Sequence, residues 1–168
     1  MSRRRIFWMA YATGFMVAGI IAVFSLTMLH KLVPQNVDWK ALQLTDLQGK
    51  AVSLKDYEDK VLLVNVWATW CKPCIQEMPT MDKLQQQHPD KLALLTVSDE
   101  AVDKLRKFRN RYNYSFSFIK ANTPLAEQSL TVYPMTYLLS PDGDVEAVYL
   151  GALDWNSPKI QKKLLQLN

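Results

Sequence analysis

Apolar and polar positions follow two different regimes along this chain. Residues 6–29 (IFWMAYATGFMVAGIIAVFSLTML) contain no charged side chain. As a helix rising about 1.5 Å per residue, the run reaches roughly 36 Å, against a bilayer hydrocarbon core of about 30 Å. It is bracketed by Arg3, Arg4 and Arg5 on one side and by His30 and Lys31 on the other, a pattern that predicts a single transmembrane helix after a short cytoplasmic tail, residues 1–5. The run exceeds the usual apolar region of a signal peptide, about 7 to 15 residues, and no A-x-A site closes it, so an uncleaved anchor is expected. With the arginines on the amino-terminal side and only Lys31 and Lys40 soon after the span, the rest of the chain should lie outside the cytoplasm. The expected location is therefore the inner (cytoplasmic) membrane, single-pass, with the C-terminal domain facing the periplasm or extracytoplasmic space.

Residues 30–38, with Pro34 and Asn36, read as a linker, and one domain of 39–168 follows. There the periods are short. Residues 39–45 alternate apolar and polar, Gly49 marks a turn, and 51–54 can return as the second arm of a hairpin. The near-continuous apolar run 61–67 fits a central strand covered on both faces. Residues 73–88 have helical spacing through Ile75, Met78, Met81 and Leu84. Next come a buried strand (92–97), an amphipathic helix (100–112), a short strand (115–119) and a helical turn (124–129). Strands 136–139 and 145–149 flank the turn Pro141-Asp142-Gly143, and a last helix starts at Ser157-Pro158 with Ser at the N-cap and Pro at N1. Alternating strands and helices of this kind predict an α/β fold, a central mixed sheet flanked by helices.

Charge adds little beyond the anchor. The chain has 20 Lys plus Arg against 16 Asp plus Glu, a net +4; without Arg3, Arg4 and Arg5 the balance falls to +1, which leaves no electrostatic footprint for nucleic acid. Lys104, Arg106, Lys107, Arg109 and Arg111 are expected to form a solvated helix face. Two cysteines are too few for a disulfide scaffold or a four-cysteine zinc site.

The chemistry concentrates in Trp67-Ala68-Thr69-Trp70-Cys71-Lys72-Pro73-Cys74, where the central strand turns into a helix. Cysteines three apart at a helix start are close enough to join. Cys71 sits at the positive end of the helix dipole, where a thiolate is stabilised, and Cys74 lies one turn inside and shielded. Cys71 should attack and Cys74 resolve. Lys72 adds a positive charge, and Pro73 suits the first helical turn. A static staple would close a loop of only about four residues, worth roughly 2 kcal/mol, and a metal site would need ligands beyond the distant His30 and His88.

The sequences LTDLQGKAVSL, KVLLVNVWATWCKPCIQEMP and YPMTYLLSPDGDV together resemble the thioredoxin superfamily, more narrowly the membrane-anchored TlpA, ResA and CcmG/DsbE group of thiol-disulfide oxidoreductases. The resemblance covers most of 39–168. It implies a thioredoxin fold with an N-terminal β-hairpin extension and an extracytoplasmic protein-disulfide reductase. It also implies a link to apocytochrome c reduction in cytochrome c maturation, a membrane electron donor of thiol-reductase type, and protein thiol or disulfide substrates. No cofactor is implied beyond the redox-active Cys71–Cys74 disulfide, and no metal. Pro134 matches the cis-proline, and Tyr133 and Trp70 are expected to contact substrate. Asn65 stands six residues before Cys71, where ordinary thioredoxins carry a buried Asp. Glu77, three residues beyond Cys74, looks like the replacement, a carboxylate whose pKa burial would raise for proton transfer; a residue merely favoured by the helix dipole is the alternative. Val132 and Met135 depart from the family pattern beside Pro134, where a substrate strand would dock. A disulfide-forming oxidase of the same fold and a copper-binding chaperone are the competing functions.

Overall fold

The computed structural model describes residues 3–31, 34 and 36–166, so Met1 and Ser2 of the predicted tail and positions 32, 33 and 35 of the predicted linker lie outside the described residues. The chain divides into two compact units, Met1–Pro34 and Gln35–Asn168. The first is one helix, α1 (Arg3–Lys31). Within it Phe7–Ser25 is long and apolar enough to cross a membrane, and none of that stretch is buried. Phe15, Met16, Ile20 and Phe24 are all exposed.

The second unit is a six-stranded sheet in the order β1-β4-β3-β2-β5-β6. Its strands are β1 (Leu44–Asp46), β2 (Val61–Val66), β3 (Leu92–Ser98), β4 (Ser117–Ala121), β5 (Met135–Leu139) and β6 (Val145–Leu150). β2, β3 and β4 run parallel. The two crossovers between them carry α2 (Lys72–Gln87) and α3 (Val102–Tyr112), as parallel neighbours require. β5 and β6 add antiparallel at one edge and β1 at the other, and α4 (Pro158–Leu165) closes the chain.

All six residues of β2 are buried, and strict alternation sorts its side chains between two cores. Val61 and Leu63 join Met78, Met81, Leu84, Leu105, Phe108, Ile160 and Leu164 in the core beneath the helices. Leu62, Val64 and Val66 join Leu42, Leu95, Val97, Tyr137 and Leu139 on the other face. The same period places Asn65 with Val61 and Leu63 on the helix face, and Thr136 with Leu138. Because Asn65 pairs with Thr136 on β5 and with Thr96 on β3, three buried polar side chains cross the sheet side by side under α2.

Two predicted elements form differently. The 39–45 strand shrinks to β1, because Asp38 Oδ1 accepts hydrogen bonds from the amides of Lys40 and Ala41 at 3.0 and 3.2 Å and winds 38–43 into turns. β1 pairs with β4, and the returning arm is one bridge, Thr45 to Ala51. Ser53 then caps a 3-10 turn, Leu54–Tyr57, through a capping box with Asp56, so 51–54 cannot continue as a strand. The helix expected from residue 100 begins at Val102, because Ala101 is its N-cap with ψ 135° and the Glu100 amide is taken by the Ser98 hydroxyl.

Candidate functional site

Cys71 is the N-cap of α2, with φ −80° and ψ 95°, and its Sγ accepts a hydrogen bond from the Cys74 amide at 3.3 Å. Lys72 and Pro73 fill the first helical positions, where a missing N–H costs nothing. Cys71 and Cys74 are joined by a disulfide, S–S 2.02 Å. In this oxidised state Cys71 is 4% exposed and Cys74 not at all, so both cysteines are buried, against the expectation of an open Cys71 at the helix end, and Cys71 is only slightly the more accessible.

Two carboxylates hold the two sides of this junction. Glu100, from the loop after β3, accepts from the Thr69 amide at 2.5 Å and from the Thr69 hydroxyl at 2.9 Å, and pairs with Lys104 at 2.5 Å. Partial burial pushes its pKa up, but the bonds from Lys104 and Thr69 outweigh it, and the carboxyl ends below the usual range. Glu100 thereby fixes the backbone two residues ahead of Cys71. Glu77 lies one helical turn beyond Cys74 and is 3% exposed. Its Oε1 accepts from Asn65 Nδ2 at 2.9 Å; its Oε2 accepts from the Leu153 amide at 3.1 Å and from Trp155 Nε1 at 3.0 Å. Burial dominates and raises its pKa, against the lowering effect of Trp155, Leu153 and Asn65.

Just before β5 the Tyr133–Pro134 peptide bond is cis. The Tyr133 ring meets Trp70 edge-on at 5.6 Å, and its hydroxyl donates to the Leu130 carbonyl at 3.3 Å. Burial raises the Tyr133 pKa, with the charges of Asp99 and Glu100 adding to it. Trp70 is 67% exposed, and Val132 is exposed next to this pair. Trp67, by contrast, is fully buried against Phe108 and Phe118. The Met135 side chain is turned into the core on the far face of the sheet, near Tyr137, so Val132 and not Met135 presents its side chain at this surface. Among the described residues no group of three His, Cys, Asp or Glu side chains is placed to hold a metal ion.

Cys71, Cys74, Glu77, Trp70, Tyr133 and Pro134 all belong to this one region. Three participants carried no sequence signal: Trp155 and the Leu153 amide, from the loop before α4, and Thr136, paired with Asn65 through a 2.8 Å hydrogen bond. Glu100 stood in the sequence as the first residue of a helix. A polar residue within an otherwise apolar strand, Asn65, was the one available pointer to a buried partner.

Residues 36–148 match the model of the AhpC/TSA family. The thioredoxin-like protein YneN of Bacillus subtilis (strain 168) is 37% identical over 115 residues, spanning 66% of this chain and 68% of that one. The thiol-disulfide oxidoreductase ResA of Bacillus thuringiensis (strain Al Hakam) is 32% identical over 112 residues, 64% of this chain and 65% of that one; the chain thus spans about two thirds of the length of these curated relatives. Among solved structures, the exposed lipoprotein thioredoxin Etrx1 of Streptococcus pneumoniae strain TIGR4 superposes with a TM-score of 0.64 at 20% identity, covering 74% of this chain and 97% of that one. StoA of Bacillus subtilis gives 0.58 at 20% identity, covering 73% and 94%. A mixed sheet with its disulfide at the head of α2 is the thioredoxin architecture, and the chain belongs to the AhpC/TSA family. Within that family it stands with the TlpA, ResA and CcmG/DsbE type.

Proposed function

We propose that this chain is a thiol-disulfide oxidoreductase that works as a protein-disulfide reductase outside the cytoplasm, held to the inner membrane by α1. The observation that carries the exchange chemistry is Glu77, and the reductase direction follows the resemblance to the TlpA, ResA and CcmG/DsbE group. A carboxylate that is buried, hydrogen-bonded and raised in pKa, one turn beyond the shielded Cys74, is a proton acceptor poised for that thiol.

The reduced Cys71 thiolate attacks one sulfur of a substrate disulfide, forming a mixed disulfide and releasing the other substrate sulfur as a thiolate. Glu77 takes the proton from Cys74 Sγ, and the Cys74 thiolate attacks Cys71 Sγ. The intramolecular disulfide forms, the mixed disulfide breaks, and the second substrate sulfur leaves; the two released thiolates take up protons. Two electrons pass to the substrate, and a thiol donor at the membrane restores them by the reverse exchange. Trp70, Tyr133 and Pro134 form the surface against which the substrate chain lies. Unfolded apocytochrome c, named by the family resemblance, is a substrate of the required kind, a polypeptide whose cysteine pair must be reduced before haem attachment.

The deciding experiment is the equilibrium potential of Cys71/Cys74 in a thiol buffer, together with trapping by Cys74→Ser. A potential near the thioredoxin value of about −270 mV supports the reductase; one near the DsbA value of about −120 mV makes the chain an oxidase. Mixed disulfides recovered on Cys71 of the Cys74→Ser protein in envelope extracts are expected, and their absence would remove the exchange mechanism.

A further inference from the structure

Asn65 makes an incomplete set of hydrogen bonds. Its Nδ2 donates to Glu77 Oε1 at 2.9 Å and to Thr136 Oγ1 at 2.8 Å. Its Oδ1, equally buried, accepts nothing from the protein. A bare buried carbonyl is costly, and at a fully buried strand position an apolar side chain would avoid that cost, so an amide here calls for a reason.

The reason lies in what Glu77 needs in each protonation state. Oε2 is faced by two donors that cannot accept, the Leu153 amide and the Trp155 indole. A proton arriving on Glu77 therefore belongs on Oε1, the oxygen facing Asn65. In the observed orientation Asn65 offers that oxygen only N–H. Half a turn about the Cβ–Cγ bond exchanges Nδ2 and Oδ1 in nearly the same space. Oδ1 then accepts the Glu77 O–H, and the Thr136 hydroxyl, which can give or receive, donates to Oδ1 instead of accepting from Nδ2. Two hydrogen bonds are present before and two after. One end of the amide is bare in either arrangement.

We propose that Asn65 is a two-way positioning residue for Glu77, donating to the carboxylate and, turned over, accepting from the carboxylic acid, with Thr136 following on β5. An aspartate at position 65 could not do this, since its own ionisation would compete with that of Glu77. The consequence for turnover rests on the reading of Glu77 as the acceptor for the Cys74 proton: the carboxyl gains and loses its proton without leaving its place. No charged group is among those that shift Glu77, whose perturbers are burial, Trp155, Leu153 and Asn65. The titratable neighbours on the elements packed here are Cys74 on α2 and Tyr149 on β6, which packs edge-on against Trp155.

The full-length chain in lipid nanodiscs, kept oxidised so that neither cysteine titrates, provides the test. Glu is labelled with 13C at Cδ and Asn with 15N at the side chain, and both are followed by NMR from about pH 4 to 9, spanning the reference carboxyl value upward. The Asn65 amide resonance should move with the same midpoint as the Glu77 carboxyl. In Glu77→Gln, whose amide can donate as the protonated acid does, Asn65 should sit at the low-pH position throughout. An Asn65 signal that stays flat while Glu77 titrates would overturn the proposal.

Asn65→Leu gives a second readout. A one-way donor, lost, would raise the Glu77 midpoint by about one to two pH units, whereas a residue serving both forms leaves a shift below about one unit. Should Asn65→Leu fail to fold, the wild-type and Glu77→Gln titrations decide alone. Joint titration of Asn65 and Glu77, combined with an exchange rate of the reduced protein that ignores this midpoint, would keep the two-way role and discard Glu77 as proton acceptor.

Discussion

Glu77 and Glu100 brace the same strand-to-helix junction from two sides and are driven in opposite directions. Each carboxylate accepts three hydrogen bonds from the protein. The difference is that Glu100 has a cation, Lys104, and a partly open setting, while Glu77 has only neutral donors and almost no exposure. At Glu77 the three neutral donors do not offset its deep desolvation, whereas at Glu100 shallower burial and the Lys104 cation leave the lowering contributions ahead. One carboxylate is therefore a paired anion that holds a loop, and the other is a deeply buried carboxyl, raised in pKa, one helical turn beyond Cys74.

Removing the Glu77 carboxyl should have the largest effect. Glu77→Gln is expected to slow reduction of substrate disulfides near neutral pH roughly tenfold to a hundredfold, the lower range for general acid-base assistance. Stopped-flow exchange rates over pH, with a fold check by circular dichroism, measure it. Wild-type and variant profiles that superimpose would place Glu77 with the structural residues and erase its contrast with Glu100.

Glu100→Ala strikes the paired anion. It leaves the Thr69 amide and hydroxyl without acceptors, at a cost of about 1–3 kcal/mol for a partly buried donor. Urea unfolding of the oxidised protein should show that loss, and Glu100→Gln, which keeps an acceptor, should recover most of it. Lys104→Met tests the cation separately: the pKa of Glu100 should climb toward the ordinary carboxylate value, visible in a carboxyl titration.

Opposite pKa directions also predict opposite pH dependences of stability. Glu77, raised when folded, adds stability that is full below its unfolded value, near 4.5, and is lost as pH rises through the folded pKa. Glu100, lowered when folded, adds stability that is present above 4.5 and lost as pH falls through its folded pKa. Thermal midpoints should show Glu77→Gln gaining on the wild type toward alkaline pH, and Glu100→Gln losing less than the wild type toward acid. The same sign for both variants would contradict the division between them. Glu100 is partly exposed, so its arm should be the shallower.

The junction itself was legible because it is local. A β-branched apolar run, two cysteines at helix-turn spacing, Pro73 and the i, i+3 relation of Cys74 to Glu77 all lie within 61–77. What holds Glu77 in place is not local: Leu153 and Trp155 arrive from 76 and 78 residues away, and its partner Asn65 is met by Thr136 across 71 residues. No periodicity encodes such partners. Asn65 was visible as a departure from the buried Asp of ordinary thioredoxins, but its alignment with Thr136 follows from the antiparallel β2–β5 register, which the strand pattern leaves open. The two misread elements failed for a related reason. Side-chain oxygens of Asp38 and Ser53 took over backbone donors at the first hairpin, and the Ser98 hydroxyl took the Glu100 amide ahead of α3, each overriding a sound local propensity.

The smallest effect, and the sharpest separation of the two carboxylates, concerns Trp70. Glu100 holds Thr69, the residue before Trp70, while Glu77 acts beneath the helix, so a change in Trp70 should couple to one and not the other. Trp70→Ala removes the edge contact with Tyr133 and an exposed apolar platform, worth about 0.5–1.5 kcal/mol, or roughly a twofold to tenfold slower reaction with a protein disulfide. Reaction with a small disulfide that does not reach the platform should be unchanged. In double-mutant cycles on the protein-substrate rate, Trp70→Ala with Glu100→Ala should fall short of additivity by about 0.5 kcal/mol or more, because a loop no longer held has already lost the aim of Trp70. The cycle with Glu77→Gln should be additive within about 0.3–0.5 kcal/mol. Additivity in both cycles would reduce Glu100 to a stabilising contact, and coupling in both would mean that the two carboxylates act through one shared motion of α2.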